Sequence, residues 1–420
     1  MPQPPQRRFG GLSLLQPLRF PLFRSLWAAS LVSNIGSNMH HTGAAWQMTL
    51  LTPSPLLLGL VTAAANLPLL LLSPLAGALT DTFDRRSLLL ITQSLLIATA
   101  GTLAVLAFTD TLNPAGLLIM VSLMGLATVF NKNGWQTVVQ DSVPREELAP
   151  AVSLASISMN SARSIGPALG GLIIAWIGAG MVFLLDSLSF FGVIFVIFRW
   201  KETQQRPPRT RGAVFRALKE GFLYLVSKRL LALLLVRHLL FAMAAASVMA
   251  LLPMLARTRL GLDARGFGLL SSCFGLGAIV ASLSAHSLAA RFGVRRSTRA
   301  GIILSFSTLL AVAHCWHPVL AGVLLLFQGF SSTFIALNHG VRVRMSASAG
   351  FLGRVYSYYS LCATGGVALG GLTFGWLASL WGLRVSLSAA ATLSFIALLL
   401  ALRHPMPQIL RESEPGSPAA

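Results

Sequence analysis

Apolar runs long enough to cross a bilayer recur along the whole chain, each bounded by polar, glycine or proline breaks. They fall near residues 25–48, 55–79, 87–108, 115–139, 151–178, 181–199, 230–254, 266–288, 299–315, 319–341, 355–378 and 384–402. A hydrocarbon core about 30 Å thick needs about 20 apolar helical residues to cross it, so each run is a candidate span. The widest break, Arg199 to Arg229, divides the runs six and six. Its first part, Lys201 to Arg211 with Pro207 and Pro208, is polar and aperiodic and reads as a linker. Its second part puts Phe215, Leu218, Phe222 and Leu225 on one helical face, with Arg216, Lys219 and Glu220 off it. That pattern predicts a basic amphipathic helix on the membrane surface, with a site for a regulatory partner as the alternative. The tail carries Pro405, Pro407, Pro415 and Pro418 and is expected to be disordered.

The expected architecture is an all-α membrane protein of twelve transmembrane helices in two six-helix halves. Residues 1–24 form a cytoplasmic segment, 25–199 the first half, 200–229 the linker with its amphipathic helix, 230–402 the second half and 403–420 the tail. Only 10% of residues are charged and 55% are hydrophobic. A soluble domain carries roughly a quarter charged residues, so no large soluble domain is expected. The opening stretch does not read as a cleavable signal, because prolines and Arg7, Arg8, Arg19 and Arg24 precede a run of full spanning length.

A net charge of +20 raises the question of nucleic acid. The spans answer it: with the N-terminus inside, 25 of the 32 basic residues fall in cytoplasmic segments. Arg257, Arg259, Arg265 and Arg384 lie outside, and Lys132, Arg163 and Arg237 lie within spans. This is the positive-inside distribution, which places both termini in the cytoplasm and leaves no reason for a nucleic-acid partner. Cys273, Cys315 and Cys362 are scattered, without metal-ligand spacing or an evident disulfide. No P-loop, nucleophile elbow or HExxH occurs, so neither ATP hydrolysis, catalysis nor a cofactor is expected.

The halves echo each other. Gly77-Ala-Leu-Thr-Asp81-Thr-Phe-Asp84-Arg85-Arg86 follows the second run, and Ser287-Leu-Ala-Ala-Arg-Phe-Gly-Val-Arg-Arg296 follows the eighth. Gly166-Pro167-Ala-Leu-Gly170-Gly171 lies in the fifth run and Gly366-Val-Ala-Leu-Gly-Gly371 in the eleventh. Two echoes in the same order argue for a duplicated six-helix unit with parallel halves. In the first echo Gly77 permits close helix approach, and Asp81, Arg85 and Arg86 are charges just outside the hydrocarbon. They read as a gating latch or as plain topology charge plus a turn. Gly166, Pro167, Gly170 and Gly171 serve tight packing and bend the helix.

Charges inside spans cost about 2.5–3.5 kcal/mol each at a helix centre on insertion scales and need a reason. Lys132 and Arg163 sit mid-helix and read as lining a central cavity. Arg237, next to His238, either lines that cavity or snorkels to the cytoplasmic surface. Asn34, Asn38 and His41 form one polar stripe that faces a neighbouring helix or the cavity. Asp186 is the one carboxylate placed clearly within hydrocarbon. It and His41, whose side chain titrates in the physiological range, are the candidates for proton coupling, although a structural hydrogen bond serves Asp186 equally well.

The loop motif at Gly77 to Arg86 resembles the signature of the major facilitator superfamily, departing from it at Thr82 and Asp84. Gly166-Pro167-x-x-Gly170-Gly171 resembles that superfamily's antiporter motif, with Ala162 where glycine is frequent. Phe23-Arg24-x-Leu26-Trp27, Val143-Pro-Arg-Glu-Glu-Leu148, Gly266-Phe-Gly-Leu-Leu270 and Leu352-Gly-Arg-Val355 resemble its transmembrane secretion effector branch. The resemblance, over residues 18–402, implies drug or siderophore efflux across the inner membrane, driven by protons. The expected partners are therefore a small-molecule substrate, protons and the lipid bilayer, with the chain acting as a monomer. Importer or lipid flippase is the alternative on the same fold, and a non-transporting membrane sensor or scaffold the alternative of another class.

Overall fold

The computed structural model describes residues 13–80, 84–200, 211–348 and 350–403. The expectations made for residues 1–12, for Asp81, for the polar linker 201–210 and for the tail lie outside the described residues. The described chain is helical throughout: α1 (Pro21–Leu51), α2 (Pro55–Thr80), α3 (Arg85–Phe108), α4 (Pro114–Asp141), α5 (Leu148–Ile177), α6 (Ala179–Arg199), α7 (Arg211–Ser227), α8 (Arg229–Met254), α9 (Ala264–Phe292), α10 (Val294–Ala313), α11 (Pro318–Ser346) and α12 (Leu352–Arg403). Among the described residues eight helices are long and apolar enough to cross a membrane by composition alone: α2 to α4, α6, α8, α9, α11 and α12. Helices α1, α5 and α10 have 31, 30 and 20 residues, so length suffices and their polar side chains lower the hydropathy.

Local chemistry sets the boundaries. Proline opens α1, α4 and α11 at the first turn, where its missing N–H costs nothing. The Asp84 carboxylate accepts from the Ser87 N–H at 2.8 Å, and the Asn113 and Asp263 side chains cap α4 and α9 in the same way. Asp84 thus has a local task at the position where the superfamily's loop motif has glycine. The turn from α5 to α6 is made at Gly178 (φ +100°), and α12 bends into two spans at Gly382 (φ +81°). Neither glycine has another group close to where a Cβ would stand, so backbone conformation and not crowding demands glycine there.

The bundle has two ends. The loop end carries the α1–α2 turn, Gly178 and Gly382; the terminal end carries α7, the start of α1 and the end of α12. The apolar core is distributed unequally between them. One large cluster joins both halves at the loop end, with Met39, Trp46, Met48 and Leu58 from the first half and Val248, Leu251, Phe267 and Phe374 from the second. At the terminal end the clusters separate by half. Phe23, Leu26, Leu89, Val193 and Trp200 pack within the first half, and Leu231, Leu234, Val343, Val355 and Tyr359 within the second. The halves are therefore joined at the loop end and part toward the terminal end.

Candidate substrate cleft and coupling residues

The glycine motifs set how close the helices come. Cβ atoms added at Gly166 and Gly170 would strike Asn38 and Met39 of α1, so these glycines bring α5 against its neighbour within the half. Gly171 faces outward from the half: a Cβ there would lie 2.5 Å from the Ala264 carbonyl oxygen and 2.9 Å from the Gly268 Cα. The second half repeats the pattern, with Gly366 and Gly370 against Ala242 and Met243 of α8, and Gly371 against Gly59 and Thr62 of α2. Two glycine seams, α5–α9 and α2–α12, thus join the halves. Gly268→Val would push a side chain into the Pro167 carbonyl, 2.5 Å from the Cβ position, where backbone meets backbone and neither yields. Overpacking of about 1–3 kcal/mol, directed at the joined state alone, should shift the population away from it by roughly 5- to 150-fold. Disulfide crosslinking across the closure, measured in the double variant Trp46→Cys with Phe267→Cys, should fall accordingly when Gly268→Val is added. Unchanged crosslinking would show that the seam does not hold the state.

Pro167 adds a second feature to the α5–α9 seam. Lacking an N–H, it leaves the Arg163 carbonyl without its helical donor. That carbonyl lies against Gly275 of α9, where an added Cβ would approach to 2.6 Å. The Arg163 side chain leaves the helix beside this backbone contact. It is exposed, touches Met159 Sδ at 3.9 Å, and has no ion-pair partner among the described residues. Helical geometry puts it roughly 140° around α5 from the outward-facing Ile165 and Leu169, in the groove between α1 and α9.

The polar stripe of α1 joins it. Gly36, His40 and Gly43 face α6, where added Cβ atoms at the two glycines would meet Asp186, Ser189 and Phe183. Asn34, Asn38 and His41 lie roughly 150° around the helix, turned away from α6, with Asn38 against Gly166 of α5. His41 is exposed, while Asn34 and Asn38 are half-buried, the Asn38 amide donating to the Asn34 carbonyl at 2.8 Å. Lys132 lies in α4, with its side chain outside the described residues.

Asp186 is fully buried on the other side of α1. His40 Nδ1 stands 3.1 Å from its Oδ2, and the Ser37 hydroxyl donates to Oδ1 at 3.2 Å. Asp186 therefore meets His40 and not His41, the histidine that the sequence groups with it for proton coupling; the His40 and His41 rings are 6.3 Å apart, edge to face. Arg237 departs from the expected cavity altogether. It is 3% exposed and shares a narrow cavity inside the second half with Arg295, Arg299 and Arg342. Its neighbour His238 faces His339, Nδ1 to Nδ1 at 3.3 Å, and stacks on Tyr359. Spacing along one helix could not show these pairings, because each needs the position of a second helix.

At the loop end the closure is layered. Trp46 stacks on Phe267 with centroids 5.6 Å apart, Arg257 donates to the Thr49 carbonyl across the halves, and Arg265 lies over Trp176. At the terminal end Arg86 donates to the Phe198 carbonyl at 2.6 Å and lies over the Phe198 ring, capping the last turn of α6. Gly77 and Arg85 lie in α2 and α3, with their surroundings outside the described residues.

A transmembrane secretion effector model matches residues 12–418, nearly the whole chain. The chain belongs to the transmembrane secretion effector family. Members of this branch of the major facilitator superfamily are membrane transporters, which are not enzymes. The enterobactin exporter of Salmonella typhi is 25% identical over 422 residues, covering 97% of this chain and 98% of that one. The staphyloferrin A transporter of Staphylococcus aureus is 26% identical over 261 residues, 61% of this chain and 65% of that one. The first relatives it matches are covered over 51% to 65% of their length. A bacterial homologue of the lysosomal transporter Spinster, solved inward-facing and unoccupied, superposes with a TM-score of 0.75 at 12% identity, covering 93% of this chain and 97% of that one.

The short motifs of the secretion effector family have visible tasks here. Arg19, just ahead of Phe23-Arg24-x-Leu26-Trp27, pairs with Glu147 at 2.7 Å, and the Trp27 indole donates to the Leu154 carbonyl at 3.0 Å, tying α1 to α5. Phe267 and Gly268 build the loop-end stack and seam. Arg354 pairs with Glu220 at 2.8 Å and Tyr224 stacks on Phe351, docking α7 on the start of α12. Helix α7 covers the stretch read as amphipathic, and it packs on the second half through Leu225 while Phe222 stays exposed.

Proposed function

We propose that this secretion effector is a proton-coupled exporter of a small anionic or amphipathic molecule, a siderophore or drug, working by alternating access. The observation that carries the reading is Arg163: an exposed guanidinium without an ion-pair partner among the described residues, on the helix whose Gly166 packs against Asn38 of the polar stripe that also holds Asn34 and His41. A cation in a cleft walled by low-dielectric helices attracts carboxylates, phenolates and sulfonates far more strongly than in water. The basic residues concentrate at the terminal end, so that end faces the cytoplasm and the cleft receives substrate from inside. The names of the enterobactin and staphyloferrin A relatives support a siderophore, and the Gly166–Gly171 motif supports export.

Protons enter through the first half. Asp186 with His40 forms a buried pair next to cleft-facing His41, so a change in proton occupancy at the pair alters the α1–α6 contact. Reporter fusions at either terminus and after residue 210 should report the cytoplasm; a reporter in the outer compartment would reverse the direction proposed. In a strain stripped of its own siderophore and drug exporters, expression should lower cell-associated enterobactin or an anionic fluorescent dye. Equal retention of both would exclude this class of export.

A further inference from the structure

Helices α8, α10 and α11 bring four arginines to one narrow cavity at the terminal end of the second half: Arg237, Arg295, Arg299 and Arg342. Arg237 and Arg342 are only 3% and 8% exposed. The Nε atoms of Arg237, Arg295 and Arg299 are buried without a hydrogen-bond partner among the described residues, and none of the four has an ion-pair partner there. Four like charges brought together, Arg237 and Arg342 out of water and Arg295 and Arg299 half-buried, repel one another and lose hydration, a cost that a bound anion would offset.

The chain supplies little to compensate them. Between residues 230 and 403 there is one carboxylate, Asp263, and it caps α9 at the opposite end of the bundle. Glu220 on α7 is held by Arg354. The remaining walls are Thr298, Ile302 and Ala401. Next to the last two, Ile303 and Leu402 are exposed apolar side chains on the surface of the bundle. A polar head could thus sit among the guanidinium groups while an acyl chain runs along the helices outside.

We propose that Arg237, Arg295, Arg299 and Arg342 bind a phosphoryl anion, with the phosphodiester of an anionic lipid in the cytoplasmic leaflet as the source the apolar rim favours. Guanidinium forks match phosphate oxygens in pairs, and basic pockets between transmembrane helices near the inner surface suit such headgroups. The leaflet follows from the orientation proposed above; the binding does not depend on transport. Bound there, the anion ties α8, α10 and α11 into one rigid second half.

The test is thermal unfolding of the purified full chain in detergent, with added phosphatidylglycerol, phosphatidylcholine or inorganic phosphate. Phosphatidylglycerol should raise the midpoint by several degrees over phosphatidylcholine. That gain should be largely lost in Arg342→Gln and in the less buried Arg299→Gln, and kept in Arg216→Gln on the exposed face of α7. Without added anion, Arg342→Gln should unfold at a higher temperature than wild type, because a repulsion is removed. An equal gain from inorganic phosphate alone would keep the site and make free phosphate its source. No gain in wild type, or an equal gain in Arg299→Gln and Arg342→Gln, would overturn the proposal. So would a fall in midpoint in Glu412→Gln or Glu414→Gln with no response to lipid, since the tail would then be the counter-ion.

Discussion

Arg163→Ala is expected to weaken binding of an anionic substrate by about 1.5–3 kcal/mol, roughly 10- to 150-fold in affinity, the range for a lost hydrogen bond to a charged group. Stability should change little, because the side chain is exposed and its one recorded contact is a long approach to a methionine sulfur. The helix should also hold, since alanine is the best helix former and the adjacent seam is made by the backbone at residues 163 and 164. Arg163→Lys should restore part of the affinity, keeping the charge but losing the planar fork. Isothermal titration with a siderophore and with its neutral methyl ester separates charge from shape. If alanine binds both as wild type does, the cation is not the recognition element.

Asp186→Asn should have the second large effect, on coupling and not on binding. Asparagine keeps the shape and the hydrogen bond from Ser37, but it removes the group that can exchange a proton with His40. Gradient-driven efflux should fall to the background, while exchange of labelled for unlabelled substrate continues at a comparable rate. Asp186→Ala is the less informative change: removing one member of a fully buried pair costs about 3–5 kcal/mol and would confuse folding with coupling. His40→Gln should share the phenotype of Asp186→Asn, and His41→Ala should impair both transport and coupling less. Full gradient-driven efflux in Asp186→Asn would move the proton site elsewhere.

The fold was legible because bilayer thickness imposes one length on every span, and because the break at residues 199–229 and the two glycine echoes mark the duplication. Even the bend of α12 at Gly382 falls in the gap left between the runs ending at 378 and starting at 384. The candidate site was legible in part. A helical stripe reports which residues share a side of α1, so Asn34, Asn38 and His41 group together, and His40 stands apart without a partner. Its partner stands on α6, 146 positions away, and only the packing of Gly36 and Gly43 brings the two together. The sequence leaves Arg237 between the cavity and the cytoplasmic surface and names none of its neighbours, for the same reason. Its surroundings come from α10 and α11, and a lone arginine two turns into a helix gives no sign that three more will join it.

The most direct measurement is transport in proteoliposomes with labelled siderophore at equal concentration on both sides, with orientation fixed by protease accessibility of the tail. A proton gradient directed from the loop end to the terminal end should drive the substrate toward the loop-end compartment against its own gradient, and collapsing the proton gradient should stop it. Movement indifferent to the proton gradient, or driven toward the terminal end, would contradict the proposal of proton-coupled export.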